Sequence, residues 1–349
     1  MALDLQWKHK YKILKNYISS NPEISISTYE VSIPAHLRDD FFMKFDDVRR
    51  ALVESWSSSF DFDIYALGEN FIEAESSLAE CLNLKHMHLP VDLASILYNP
   101  KEGMMRLIYD RLFEILQKKI TEDDFEKMAE SDLITKTSDM FRLGYEPWAA
   151  VSILLLLEPD EILNVSLNED AHLYTSELDQ IVLGRQSHHP AKRIPEFIIH
   201  SKKLASYIAF KMPLLREVDS YYLPVEVPTQ RVLRDRTGDT SAIMDYRMLF
   251  LTVVQDLKKL PVFADMHERT INGPDLSIEF LMENDLSDSE VIGRIQNRVE
   301  ILKPRLEGNI VIMDQGSISG SFKIKENLNT FSVGLDQSGL QPIIDKLAN

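Results

Sequence analysis

Between Trp148 and Leu157 only Ser152 is polar, and this apolar run constrains the chain more than any other feature. Ten residues rise roughly 15 Å as a helix, about half of a bilayer's hydrocarbon core. The run is therefore too short to span a membrane and reads as the buried centre of a helical bundle. The stretch leading into it, from Asn99 to Pro159, carries helix start and stop signals for three consecutive helices. Asn99-Pro100-Lys101-Glu102 combines an N-cap Asn, Pro at N1 and an acid at N3. Met104, Ile108, Leu112 and Ile115 then share one helical face. Thr121, followed by Glu122, Asp123 and Asp124, starts the second helix, its carboxylates suiting the positive end of the helix dipole. Gly144 is read as its stop, and Pro147 as the seed of the third helix.

Elsewhere the patterns alternate between helix and strand. Trp7, Tyr11, Leu14 and Ile18 form a stripe on a first helix, and Phe41, Phe45, Val48 and Leu52 one on a helix after Pro34. Ile24 to Ile33 alternates like strand but slips phase near Ser27-Thr28, which a bulge or two short strands would explain. Phe60, Phe62 and Ile64 suggest a short strand. Tyr221, Leu223, Val225 and Val227 read as a strand that Pro224 and Pro228 confine to an edge, and Arg231–Thr240 as a loop. Ile243, Tyr246, Phe250, Val253, Leu257 and Leu260 recur at three- and four-residue steps and are read as a helix that Pro261 ends. From Asp275 the order expected is strand, helix, three strands (309–314, 317–325, 330–336) as a meander, and a closing helix at Leu340–Leu347.

The fold class expected is mainly α with a C-terminal α+β subdomain, a multi-helix core plus a small antiparallel sheet. Two domains are expected, 1–230 mainly helical with short strands and 241–349 α+β. A chain of 349 residues is long enough for both.

Composition narrows the chemistry. A net charge of −17 opposes wholesale binding to nucleic acid, because phosphate repels such a surface. Glycine numbers 12 of 349, about half the usual ~7%, and no GxG occurs, so dinucleotide-binding and kinase glycine loops are absent. Gly334 and Gly339 have a P-loop's outer spacing, but Leu340 stands where Lys is needed. In Gly316-Ser-Ile-Ser-Gly320 an isoleucine holds the place of a nucleophile elbow's serine. Arg234-Asp-Arg-Thr-Gly-Asp-Thr240 shares Asp-x-Thr-Gly with the phosphorylation loop of haloacid-dehalogenase-like enzymes but lacks the apolar strand before it, and reads as a turn. Cys81 is the sole cysteine, so no intramolecular disulfide or CxxC motif can form, and a reducing, cytoplasmic setting without a secretory signal or membrane span is expected. His86 and His88 would share a face on an extended segment, with Asp92 nearby. No histidine spacing matches a known zinc pattern; His267-Glu268 lacks its second His. Neither a resident metal nor a cofactor is expected.

The sharpest local feature is a reversal of charge. Residues 158–179 hold seven acids and no Lys or Arg, whereas 184–216 hold seven Lys or Arg and the single acid Glu196. Mutual neutralisation within the fold, an anion site, and docking of an acidic partner are the three meanings open to this pair. The anion-site candidates are Arg185, His188, His189, Lys192, Arg193, Lys202 and Lys203. No catalytic residue is assigned. The functional expectation is a cytoplasmic, non-catalytic interaction or scaffold protein, with a protein partner or self-association. The alternative is an enzyme or binding protein that takes phosphate, nucleotide or nucleic acid at segment 184–216.

Overall fold

The computed structural model describes residues 4–56, 60, 62–89, 91–168, 172–182, 192–211, 248–265, 270–314 and 320–348. The expected strand at 221–227, the loop at 231–240, the glycine pair 316–320 apart from Gly320, and Arg185, His188, His189 and His267-Glu268 lie outside them. Two compact units result, one of residues 1–68 with 92–141 and the other of 69–91 with 142–349.

The first unit is helical, and its sequence stripes turn inward as their spacing dictates. Helix α1 (Asp4–Ser20) buries Trp7, Tyr11 and Leu14, and α2 (Arg38–Trp56) buries Phe41, Phe45, Val48 and Leu52. Between them β1 (Ser25–Ile26) and β2 (Val31–Ser32) form a two-stranded hairpin, which accounts for the phase slip. Phe62 precedes α3 (Ile64–Leu82), so the strand expected at 60–64 is not formed: Ile64 opens a helix instead. After α4 (Val91–Tyr98), Asn99 accepts from the Glu102 amide and starts α5 (Pro100–Leu107), and a break at Ile108 separates it from α6 (Tyr109–Leu116). The stripe Met104, Ile108, Leu112 and Ile115 is buried across both helices. Arg49, 7% exposed, donates to the Met105 carbonyl at 3.0 Å, capping the end of α5, and its guanidinium lies 5.4 and 5.2 Å from the ring centres of Phe45 and Tyr109.

Helix α7 runs unbroken from Glu122 to Leu156, with Thr121 accepting from the Asp124 amide at its start. Gly144 does not stop it, and Pro147 sits inside it. The expected boundary fails because burial outweighs local propensity. Trp148 to Leu154 are at most 2% exposed, and a buried helix can absorb the amide that Pro147 cannot donate to the Leu143 carbonyl.

The second unit corrects the expected fold class. Its core is a nine-stranded mixed sheet, not a small antiparallel one. The chain's strands continue as β3 (His86–His88), β4 (Pro159–Leu167), β5 (Leu173–Glu177), β6 (Gln180–Val182), β7 (Lys192–Arg193), β8 (Phe197–Ser201), β9 (Ser206–Lys211), β10 (Met248–Val254), β11 (Ala264–Asp265), β12 (Thr270–Ile271), β13 (Leu276–Leu281), β14 (Gly308–Ile312), β15 (Ser321–Lys325) and β16 (Leu328–Ser332). The large sheet has the order β15-β16-β14-β13-β10-β9-β8-β4-β5. Strand β10 lies where the helix 243–260 is expected. Its Met-Leu-Phe-Leu-Thr-Val-Val sequence is apolar on both faces, so periodicity cannot distinguish it from a buried helix. Strands β14, β15 and β16 all form, but β14 pairs parallel with β16, and β15 lies at the sheet's margin, so they are not a meander.

Helix α8 (Ser289–Leu302), capped by Asp288, connects β13 to β14, which run parallel. Ile292, Ile295, Val299 and Leu302 cover Phe250, Leu281, Ile310, Ile312 and Leu328 on one face of the sheet. Gly308 permits that approach: a Cβ there would fall 2.4 Å from Val299 Cγ2. On the other face Tyr145 meets Phe280 edge-on at 5.8 Å. The closing turns bury Leu340, Ile343, Ile344 and Leu347 as expected, with α9 (Gln341–Ile344) among them. At one margin β15 is exposed along most of its length and carries Lys323 and Lys325; at the other, β5 carries Tyr174 and Glu177. No described helix is long and apolar enough to cross a membrane.

Candidate functional site

Two places in the second unit bring charged groups together. The first is the turn 202–205 between β8 and β9, which holds Lys202 and Lys203 of the basic segment. Antiparallel pairing sets Glu161 against His200 and His200 against Tyr207, on one face of the sheet. His200 Nδ1 lies 2.7 Å from Asp160 Oδ1, and Tyr207 donates to Glu161 Oε2 at 2.9 Å. The bond to His200, aided by the His200 and Lys202 charges, holds the Asp160 carboxyl below the usual range. The Glu161 bond, with some burial, pushes the Tyr207 phenol up. Lys203 Nζ reaches Asp345 Oδ1 at 3.0 Å and holds that carboxyl low as well. At the far end of β9, Lys211 and Glu196 form a 3.0 Å pair with side chains only 6% and 4% exposed.

Of the seven anion-site candidates, the structure thus places Lys202 and Lys203 in one turn. Lys192 and Arg193 lie in β7, whose backbone pairs with Ala264 and Asp265, while their side chains fall outside the description. Arg185, His188 and His189 lie outside it altogether.

The second place is the edge of the sheet where the parallel strands β13, β14 and β16 end. Sequence motifs do not mark it. Asp314 follows β14, is 8% exposed, and accepts from the Glu283 amide at 2.8 Å through Oδ1. Burial raises its carboxyl above the usual range; the Glu283 and Asp285 charges add to this, and amide hydrogen bonds oppose it. Asp285 receives both guanidinium nitrogens of Arg142, at 2.8 and 3.1 Å, and the Met282 amide at 2.9 Å. Tyr145 donates to the Gly334 carbonyl at 2.5 Å, and its wholly buried phenol is pushed well up by burial and by the charge of Asp314. An apolar run ending in an acid, Ile310-Val-Ile-Met-Asp314, is the signal that could have located this edge. Parallel strands present their carboxyl ends to ligands, and a carboxyl raised by burial beside other acids is the kind of group that binding and catalytic sites recurrently hold.

Among the described residues, no group of three or more His, Cys, Asp or Glu side chains is placed to hold a metal ion. No family model, curated protein or solved structure matches the chain.

Proposed function

We propose that this chain is a non-catalytic interaction or scaffold protein of the cytoplasm, working through protein contacts or self-association. The observation that carries this reading is where the basic segment's described cations go. Two of its three lysines with described side chains are spent on the fold's own carboxylates rather than gathered toward a ligand: Lys203 engages Asp345 and Lys211 engages Glu196, while His200 bonds Asp160 and Lys202 is exposed in the turn. An anion site needs cations that converge on one point with few carboxylates beside them. The exposed Cys81 thiol, with no second cysteine to pair with, supports a reducing compartment.

Heparin binding tests the reading. The protein should not bind at physiological salt, and Lys203→Glu should lower the melting temperature by setting a carboxylate against Asp345, without altering heparin behaviour. Salt-sensitive binding that a folded, equally stable Lys192→Glu/Arg193→Glu variant has lost would overturn the proposal. It would favour instead an anionic ligand at Arg185, His188, His189, Lys192 and Arg193.

A further inference from the structure

Strand β3 carries His86-Met87-His88, and its three residues pair in parallel with Gln180, Ile181 and Val182. The Lys85 amide, just before the strand, bonds the Asp179 carbonyl at 2.8 Å, which extends this register by one residue. Met87 and Ile181 point inward, 9% and 1% exposed. Alternation then places His86 and His88 together on the outer face, where both are exposed. Residues two apart on a strand have Cβ atoms about 6.6 Å apart, yet the two imidazole centres stand only 5.9 Å apart. The rings lean toward one another. A metal-bound imidazole has its ring centre about 3.2 Å from the ion, so two rings sharing one ion have centres at most about 6.4 Å apart. The observed separation already falls within that reach.

We propose that His86 and His88 form a two-imidazole chelate for a divalent first-row transition ion of the class that prefers nitrogen ligands, with copper(II) bound most tightly. His88 Nε2 lies 3.3 Å from Gln180 Oε1. Donation of that N–H to the amide oxygen leaves Nδ1 as the ligating nitrogen and fixes the ring, as outer hydrogen bonds do for metal-bound histidines. Lys85 does not repel the ion strongly, because its ammonium lies 2.5 Å from Asp179 Oδ2. With two protein ligands, the remaining coordination positions are open to water or to a donor from a partner. The ion is therefore exchangeable, in keeping with the absence of any familiar resident-metal spacing.

The test is titration of the full chain with copper(II), followed by electron paramagnetic resonance. One high-affinity ion per chain is expected, with hyperfine splitting from two equatorial nitrogens. His86→Gln and His88→Gln keep a polar side chain on the exposed strand. Each should leave one such nitrogen and weaken binding by about ten-fold or more, since even outer contacts to ligands are worth 10–100-fold. His188→Ala/His189→Ala should retain the parental spectrum. Parental affinity and splitting in His86→Gln/His88→Gln, or no high-affinity ion on the parent, would overturn the proposal.

Discussion

Replacing Arg298 by Met removes one partner of the driest ion pair described in the molecule. Arg298 on α8 and Glu279 on β13 have side chains 6% and 1% exposed, and Nη2 of the arginine contacts Oε1 of the glutamate. Glu279 is flanked by Met248 on β10 and Ile310 on β14. Methionine keeps most of the arginine stem's volume, so little of the effect comes from a cavity. What remains is a buried carboxylate that has lost its arginine, and breaking a buried pair in this way costs about 3–5 kcal/mol. Removing both charges together, as Glu279→Leu/Arg298→Met, takes the ion pair out whole and should bring stability back to within about 1 kcal/mol of the parent or above it. Urea unfolding measures both variants, through the midpoint at unchanged slope. Lys85→Ala serves as the contrast: the Lys85–Asp179 pair has side chains 67% and 58% exposed, and solvent and salt screen it. An Arg298→Met variant within about 1 kcal/mol of the parent would refute the argument, because it would mean that Arg298 is not what compensates the buried Glu279 charge.

Leu154→Asp should prevent folding, since position 154 is fully buried and an unpaired carboxylate there costs several kcal/mol; Leu155→Asp, at a half-buried position, should be soluble with a lowered melting temperature. Equal behaviour of the two in thermal melts would contradict the assigned face of α7. Asp314→Asn should raise the melting temperature at pH 7. Burial lifts the Asp314 carboxyl above its unfolded value, so its favourable contribution is complete below about pH 4 and is lost as pH rises through the folded value. The gain should therefore vanish below about pH 4, and a gain that persists there would point to packing rather than ionisation.

The helices of the first unit were legible because each has one wet face. The spacing of Phe41, Phe45, Val48 and Leu52, the Asn99 cap and the Thr121 cap are local signals, and all three appear in the structure. The large sheet was not legible, because its central strands are buried on both faces. Leu276 to Leu281 and Gly308 to Ile312 are buried at every position, so no alternation survives to be read. Its pairings also join strands far apart in the chain, such as β9 with β10, and no local pattern encodes those. The same physics hid Asp314, Tyr145 and the Arg142–Asp285 pair. Their roles come from where the strands end, not from any spacing between them. The reversal of charge was visible in the sequence, but its meaning depended on which carboxylates the fold carries to the cations, and Asp345 is 142 residues from Lys203.

The two margins of the large sheet carry opposite signs, and this bears on how the protein behaves at high concentration. The lysines on β15 discourage a second copy of that same edge from pairing there. The Glu177 margin would attract that lysine edge, and a contact between unlike margins does not close on itself but grows head to tail. At neutral pH the molecule's overall negative charge keeps copies apart. That protection fades toward the isoelectric point near pH 5.0, where the lysines keep their charge. Mildly acidic solution is thus where this chain should be most prone to assemble into open-ended polymers.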